Sequence, residues 1–442
     1  MLVSACILVI TFAMIFAEDI HKIHRTKIAL AGAIVMILVG QVFGFYNQHQ
    51  AVAAIDWNVI FLLGAMMTIV AIMIPTGGFD WLAYVIANWS KGRLYILLIT
   101  LGTAVTLISL ILDNVTTVVI FGALTIFICR ALSVNPIPYL LAEALLSDTG
   151  GVATLVGDPP NIMIGSAAGI DFNTFIYHMG DIVLLCWLSV IVLLKFLFRK
   201  ELAVKNEVAT FRTDGIIKDP ETLRWALISL GIIIFLFTQH ARLHLEAGLV
   251  AMIGFSLVLI LARKVDIEKS LKEVELPILL FFISLFVVVG GVEHSHLLSW
   301  LGQYIVPFAK SDPLMACLLL LWGSAIISAA IDNIPFTVAM IPIISSMEAQ
   351  GVNPMPFWWC LALGVGLGGN GTHIGSTANV YIVSISERVA KELDNPEYRI
   401  TPSLWFKKGT PAMLLTLIVA TVVLYFFFDF YSTPLSMHLP PH

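Results

Sequence analysis

Residues 150–161 read Gly-Gly-Val-Ala-Thr-Leu-Val-Gly-Asp-Pro-Pro-Asn and lie between strongly apolar flanks. Glycines and adjacent prolines cannot carry a continuous helix through this point, so the stretch reads as a helix broken inside a membrane. Asp158 followed by Pro159 and Pro160 has the form of an N-cap and a first turn, where the N–H that proline lacks would be unpaired anyway. A second half-helix therefore starts here, with its free N–H groups and positive dipole end facing the break. Gly150, Gly151 and Gly157 would let backbone approach a bound ion closely, which makes the break a candidate ligand site.

The phrase recurs at residues 368–379 as Gly-Gly-Asn-Gly-Thr-His-Ile-Gly-Ser-Thr-Ala-Asn. Gly150, Gly151, Thr154, Gly157 and Asn161 match Gly368, Gly369, Thr372, Gly375 and Asn379 at an offset of 218. Upstream, Asp113-Asn114-Val115-Thr116-Thr117 pairs with Asp332-Asn333-Ile334-Pro335-Phe336-Thr337, and Trp81-Leu82 with Trp300-Leu301, at an offset of 219. Anchors in so nearly one register indicate an internal duplication.

Of the 442 residues, 59% are hydrophobic and 12% charged, with a mean hydropathy of +0.95; soluble domains carry about 25% charge. This is the composition of an all-α polytopic membrane protein embedded in a lipid bilayer, and the lack of strand alternation excludes a β-barrel. The net charge of −5 is spread through loops, with no basic patch or aromatic platform for nucleic acid. The cysteines, Cys6, Cys129, Cys186, Cys317 and Cys360, stand far apart and read as packing residues. The first 17 residues lack a basic start and a small-residue cleavage site, and read as a first span rather than a signal peptide.

Apolar runs predict spans at 1–17, 28–45 and 58–75, an amphipathic piece at 79–90, a pair at 94–112 and 115–129, a stretch from 136 to 169 broken at Asp158, and a span at 181–198. The second half repeats the plan at 225–240, 246–262, 277–292, the pair 314–331 and 334–348, the broken stretch 356–392, and 404–428. The organisation is thus a first repeat (1–198, hairpin 94–131, broken helix 136–169), a polar linker (199–224), and a second repeat (225–442, hairpin 314–348, broken helix 356–392). If the loop after residue 17 is cytoplasmic, all lysines and arginines but Arg242 and Lys310, of 24 in total, fall on the cytoplasmic side, as the positive-inside rule asks. Both termini are then external and the repeats inverted, the ground plan of many secondary transporters, whose sites lie at the repeat interface near the midplane.

These residues resemble the ion-transporter superfamily of ArsB-type arsenite permeases, NhaD-type sodium/proton antiporters, the melanosomal P protein and the divalent-anion/sodium symporters. The likeness is nearest to the P-protein-like bacterial branch. It rests on Asp113 to Thr117, Gly150 to Asn161 continuing through Ile162-Met163-Ile164-Gly165, Asn333 to Thr337, and Gly368 to Asn379. The resemblance implies scaffold and transport domains, two re-entrant hairpins with Asp113-Asn114 and Asp332-Asn333 at their tips, a homodimer, and elevator motion. The chain departs from the ArsB proteins at these motifs, which ranks arsenite low among the cargoes, and it lacks the symporters' Ser-Asn-Thr signatures, so their dicarboxylate specificity does not carry over.

The candidate substrate- and ion-binding residues are Asp113, Asn114, Thr116, Thr117, Thr154, Gly157, Asp158 and Asn161 in the first half, and Asp332, Asn333, Thr337, Thr372, Gly375, Ser376, Thr377 and Asn379 in the second. A carboxylate inside an apolar segment costs several kcal/mol unless paired, protonated or metal-bound. Na⁺ at Asp113, Asn114, Asp158, Asp332 and Asn333, or a proton carried at Asp148 or His373, would offset that charge. The bland alternative is helix capping by Asp and Asn, and for Glu143 a water-exposed or helix-end carboxylate. If the hairpins are re-entrant, as the resemblance implies, the half-helix N-termini near Asn114, Asp158, Asn333 and Ser376 converge, and converging N-termini attract anions. The expectation is an inner-membrane, ion-coupled secondary transporter of a small inorganic or organic anion or oxyanion, with no cofactor beyond Na⁺ or H⁺. The alternative is an NhaD-type Na⁺/H⁺ antiporter, and behind it an arsenite permease or a passive anion channel. No enzyme is expected: intramembrane aspartyl proteases carry Gly-x-Gly-Asp, whereas Asp158 follows Leu155-Val156-Gly157.

Overall fold

The computed structural model describes residues 1–203, 211–272 and 274–434, so that residues 204–210 of the predicted linker and the end of the chain after 434 lie outside the described residues. The principal helices of the first half are α1 (Leu2–Phe16), α2 (Arg25–Phe43), α3 (Trp57–Met73), α4 (Gly78–Ser90), α5 (Leu94–Ser109), α6 (Asn114–Ala131), α7 (Ile137–Gly151), α8 (Pro159–Ala168) and α9 (Phe172–Leu197). Those of the second half are α10 (Pro220–Leu243), α11 (Ala247–Leu261), α12 (Leu276–His294), α13 (Leu297–Ser311), α14 (Pro313–Ala330), α15 (Asn333–Glu348), α16 (Met355–Gly368), α17 (Thr377–Glu392) and α18 (Thr410–Phe426). Among the described residues there is no strand. Eight helices there are long and apolar enough to cross a membrane by length and composition.

The packing pairs of one half recur in the other. Helix α5 lies against α7 as α14 lies against α16, and α4 against α5 as α13 against α14. Between the halves, α2 packs on α12 while α3 packs on α11, and α8 packs on α15 while α17 packs on α6. Each half-helix that follows a break is therefore seated on the hairpin of the opposite half. Helices α7 and α16 are buried at every residue, which puts the two broken helices at the centre and leaves α9, α10 and the outer faces of α1 and α2 as the periphery.

Three predicted elements are corrected. Helix α9 begins at Phe172 rather than 181, because the Asp171 carboxylate accepts from Asn173 N and Thr174 N at 2.9 and 3.1 Å and the polar-looking first turns bury Phe175, His178 and Met179. The second half has its own amphipathic helix, α13, where only the Trp300-Leu301 anchor pointed. The run 404–428 divides at Gly409 into Pro402–Lys408 and α18.

Candidate functional site

The chain turns between α5 and α6 at Asp113, whose carboxylate caps α6 by accepting from Thr116 N at 2.8 Å and from the Thr116 hydroxyl at 2.6 Å. In the second hairpin Asp332 caps α15 by accepting from Ile334 N at 3.1 Å. Capping fits both residues, since the first turn of a helix leaves its N–H groups unpaired. The next residues, Asn114 and Asn333, are buried and look toward the breaks.

The breaks themselves are built alike. The Asn161 amide donates to Gly151 O, Val152 O and Thr154 O at 3.1, 3.3 and 2.9 Å. Asn379 donates to Gly369 O and Thr372 O at 2.8 and 3.2 Å. The Thr154 hydroxyl donates to Leu110 O of the first hairpin at 2.6 Å, and the Thr372 hydroxyl donates to Ala329 O of the second. Unwound backbone at this depth is tolerated only if such partners satisfy its carbonyls. The glycines serve close packing of protein on protein: a Cβ on Gly157 would meet Ser109 O at 2.4 Å, and one on Gly375 would meet Gly369 O at 2.5 Å. Thr117 and Thr337 turn their hydroxyls back onto Asp113 O and Asn333 O at 2.9 and 2.8 Å.

At the centre, Asp148 Oδ1 accepts from Asn114 Nδ2 at 2.9 Å and from the Ser376 hydroxyl at 3.1 Å. One carboxylate on α7 thus joins the first hairpin tip to the second break. Its other oxygen, Oδ2, is buried without a hydrogen-bond partner. Asp158 occupies the N-cap position of α8, yet its side chain makes no cap bond, and its Oδ2 is likewise buried and unpartnered; the capping reading of this residue is therefore corrected. Asp158 faces α16, with Oδ2 3.5 Å from where a Cβ of Gly366 would stand. The charges of Asp148, Asp332 and Asp113 all reach it.

Sequence reasoning did not reach three participants. Arg25, at the start of α2, pairs with Asp332 and donates to Thr377 Oγ1 at 3.2 Å, while Thr377 also bonds Asp332 at 3.1 Å. Asn370 donates to Leu145 O and Thr149 Oγ1 at 3.2 and 3.3 Å, tying the second break to α7. Ser328 donates toward Asn333 Oδ1 and Val365 O at 2.5 and 2.7 Å. Glu143 is fully buried and accepts from the Thr125 hydroxyl, so the water-exposed reading of this residue is corrected. His373 is half-buried in the second break.

Two cavities reach the hairpin tips. One of about 830 Å³ runs from Asp113 and Thr116 to Lys264, Lys269 and Glu275; one of about 440 Å³ joins Asp332 and Thr377 to Glu18, Lys22 and Arg25. A third, about 490 Å³, is lined by Asp56, Asp171 and Glu246 and ends at Leu155, Ile162 and Gly165 without reaching Asp158. Among the described residues no three His, Cys, Asp or Glu side chains gather as a transition-metal shell would require. The oxygens present are single carboxylates beside amides and hydroxyls.

Residues 7–364 match the CitMHS family, described as citrate transporter. The chain is 33% identical over 441 residues to a 46 kDa membrane protein of Mycobacterium leprae, covering 96% of this chain and 98% of that one. It is 35% identical over 443 residues to an uncharacterized transporter of Mycobacterium tuberculosis, with the same coverage. The human P protein is 30% identical over 498 residues, covering 94% of this chain and 58% of the P protein. In fold it is similar to the YdaH transporter of Alcanivorax borkumensis, with a TM-score of 0.61, 14% identity and coverage of 87% and 89%. The chain belongs to the CitMHS family of membrane transporters, an integral multi-pass protein, and the expected likeness to the P protein holds.

Proposed function

We propose that this member of the CitMHS family carries a small anion, an organic carboxylate or an inorganic oxyanion, across the inner membrane in company with Na⁺ or H⁺. The observation that carries the reading is the bridge at Asp148, which gathers Asn114 at the start of α6 and Ser376 at the start of α17 around one buried carboxylate. Helices α8 and α15 begin at Asp158 and Asn333, and Ser376 Cβ and Asn333 Nδ2 stand 3.3 and 3.4 Å from where a Cβ of Gly369 would lie. Helix N-termini aimed at one place favour an anion there. The unpartnered oxygens of Asp148 and Asp158 need a cation or proton before an anion can enter, because like charges at low dielectric repel by several kcal/mol. Cargo and coupling ion therefore load together. The family's citrate-transporter description supports an anionic cargo.

With the lysine- and arginine-rich loops inside, both cavities that reach the aspartates open to the cytoplasm and the third stops short from outside. This is the inward-facing state of an alternating-access cycle between inverted repeats. A Na⁺/H⁺ antiporter is the second reading, favoured by the excess of Asp113, Asp148, Asp158 and Asp332 over the one arginine.

Uptake into proteoliposomes separates the two. Citrate, smaller carboxylates, phosphate, sulfate and arsenite are each offered with Na⁺, with K⁺ only, and at pH 5.5 and 8. Anion uptake that requires Na⁺ or the proton gradient supports the proposal; Na⁺-driven proton movement with no anion flux overturns it in favour of the antiporter.

A further inference from the structure

The two hairpin tips match in sequence but not in charge balance. Asp113 is held by Thr116 alone and borders the large cavity; among the described residues no lysine or arginine forms an ion pair with it. Asp332 is paired with Arg25, whose side chain and partner are only 19% and 17% exposed. The ion pairs Arg130–Glu392, Lys264–Glu221 and Arg399–Glu387 are all more exposed. Arg25 is also held in place: its guanidinium lies 5.3 Å over the Phe281 ring, and the adjacent Thr26 hydroxyl bonds Pro277 O at 3.0 Å. A cation at the first position of a helix opposes the helix dipole. Arg25 occupies that position in α2, so its location is explained by what it meets across the interface rather than by its own helix.

A tethered guanidinium that spans Asp332 and Thr377 sits where a mobile cation would sit, bound to the same oxygens. It has no translational freedom to lose, so it outcompetes a free ion there. We propose that Arg25 is the resident cation of the second-half hairpin tip, so that of the two tips only Asp113 is left open to an exchangeable cation. The inference rests on reading the hairpin tips as cation sites. Charged neighbours that share the Arg25 environment are Glu18, Lys22, His24 and Asp332 in the smaller cavity, and Glu275, whose field reaches both Asp113 and Arg25.

The test counts cations on the purified full chain. Equilibrium binding of radioactive Na⁺ at pH 8, and proton uptake on acidification from pH 8 to 5 in lightly buffered solution, are measured for the unmodified protein, Arg25→Lys, Arg25→Gln, Arg25→Met and Arg25→Gln/Asp332→Asn. Each variant is read as its difference from the unmodified protein, because the 11 histidines take up protons over the same range in all of them. Arg25→Lys should show no difference. The neutral variants should gain one cation, as Na⁺ or as a proton, and the double variant should return to the unmodified count. A purely structural ion pair would lower thermal stability in every variant and change no count. Unchanged counts in Arg25→Gln and Arg25→Met, or a gain in Arg25→Lys, overturn the inference while leaving the function reading intact. Anion uptake by the unmodified protein that is independent of both Na⁺ and pH overturns the function reading itself.

Discussion

Asp148 and Ser376 are 228 residues apart and share a 3.1 Å hydrogen bond. At the internal offset of 218 their counterparts are Gly366 and Asp158, and these two also face each other across the interface. The same contact is thus made twice. In one copy the carboxylate sits on the helix before the break and the hydroxyl at the break; in the other the carboxylate sits at the break and the helix offers only glycine. Both aspartates consequently belong to the first half, and the duplicated scaffold holds an asymmetric charge. That asymmetry gives direction to the predictions that follow.

Replacing Asp148 by Asn keeps an acceptor for Asn114 and Ser376 but removes the charge. Uptake should fall at least ~10-fold, about 1.4 kcal/mol in the barrier, with apparent Tm within ~4 °C of the unmodified protein. Asp148→Leu also strands both donors, at ~1–3 kcal/mol for each buried group, and should lower Tm visibly. Equal activity in Asp148→Asn and the unmodified protein would remove this carboxylate from the site.

Asn161 and Asn379 predict a matched pair of stability effects. Each is fully buried and holds two or more carbonyls of its break. Truncation to Ala at either position leaves those carbonyls unpaired, at ~1–3 kcal/mol per group. Thermal unfolding of the detergent-purified variants should show comparable losses. A large loss at one position and none at the other would mean that the two breaks are held by different means.

Much of this was legible in the sequence because the duplication printed each motif twice. Helix breaks, hairpins and central helices fall where proline, glycine and apolar runs set them, and α16 packs through its glycines, a Cβ on Gly364 being 2.6 Å from Leu321 O. What stayed hidden was long-range pairing. Arg25 reads as a topogenic charge at a helix start, and nothing local links it to Asp332, 307 residues away. Asp158 reads as a cap because Asp-Pro-Pro has that form, yet its carboxylate turns toward α16. Helix α13 was missed for a different reason: its polar face and internal Pro307 dilute the apolar run that marks a span.

The sidedness inferred from the loop charges predicts a labelling pattern. In a background lacking the native cysteines, Asp214→Cys should be shielded from an impermeant external thiol reagent in intact cells, and Pro434→Cys should react. Both positions are exposed, so burial does not confuse the reading. Reaction of Asp214→Cys, or labelling of both, would refute inverted repeats with external termini and remove the case for an inward-facing state.

Asp158 offers the sharpest separation of coupling from architecture. It stands at the start of α8 without capping it, so Asp158→Asn forfeits no cap bond, and Pro159 and Pro160 still set the first turn. The change removes one negative charge from a buried position within reach of Asp148, Asp332 and Asp113. Assembly and Tm should therefore be preserved or slightly improved, since an unpaired buried charge is costly. Coupling should change. If an anion is carried with a cation that offsets Asp158, the variant should bind anion with a weakened requirement for Na⁺ or low pH, and concentrative uptake driven by that gradient should collapse toward equilibration. Uptake measured at matched internal and external cation, against uptake under an imposed gradient, reads the difference directly. Retention of full gradient-driven accumulation by Asp158→Asn would exclude Asp158 from coupling and move that role to Asp148 and Asp113.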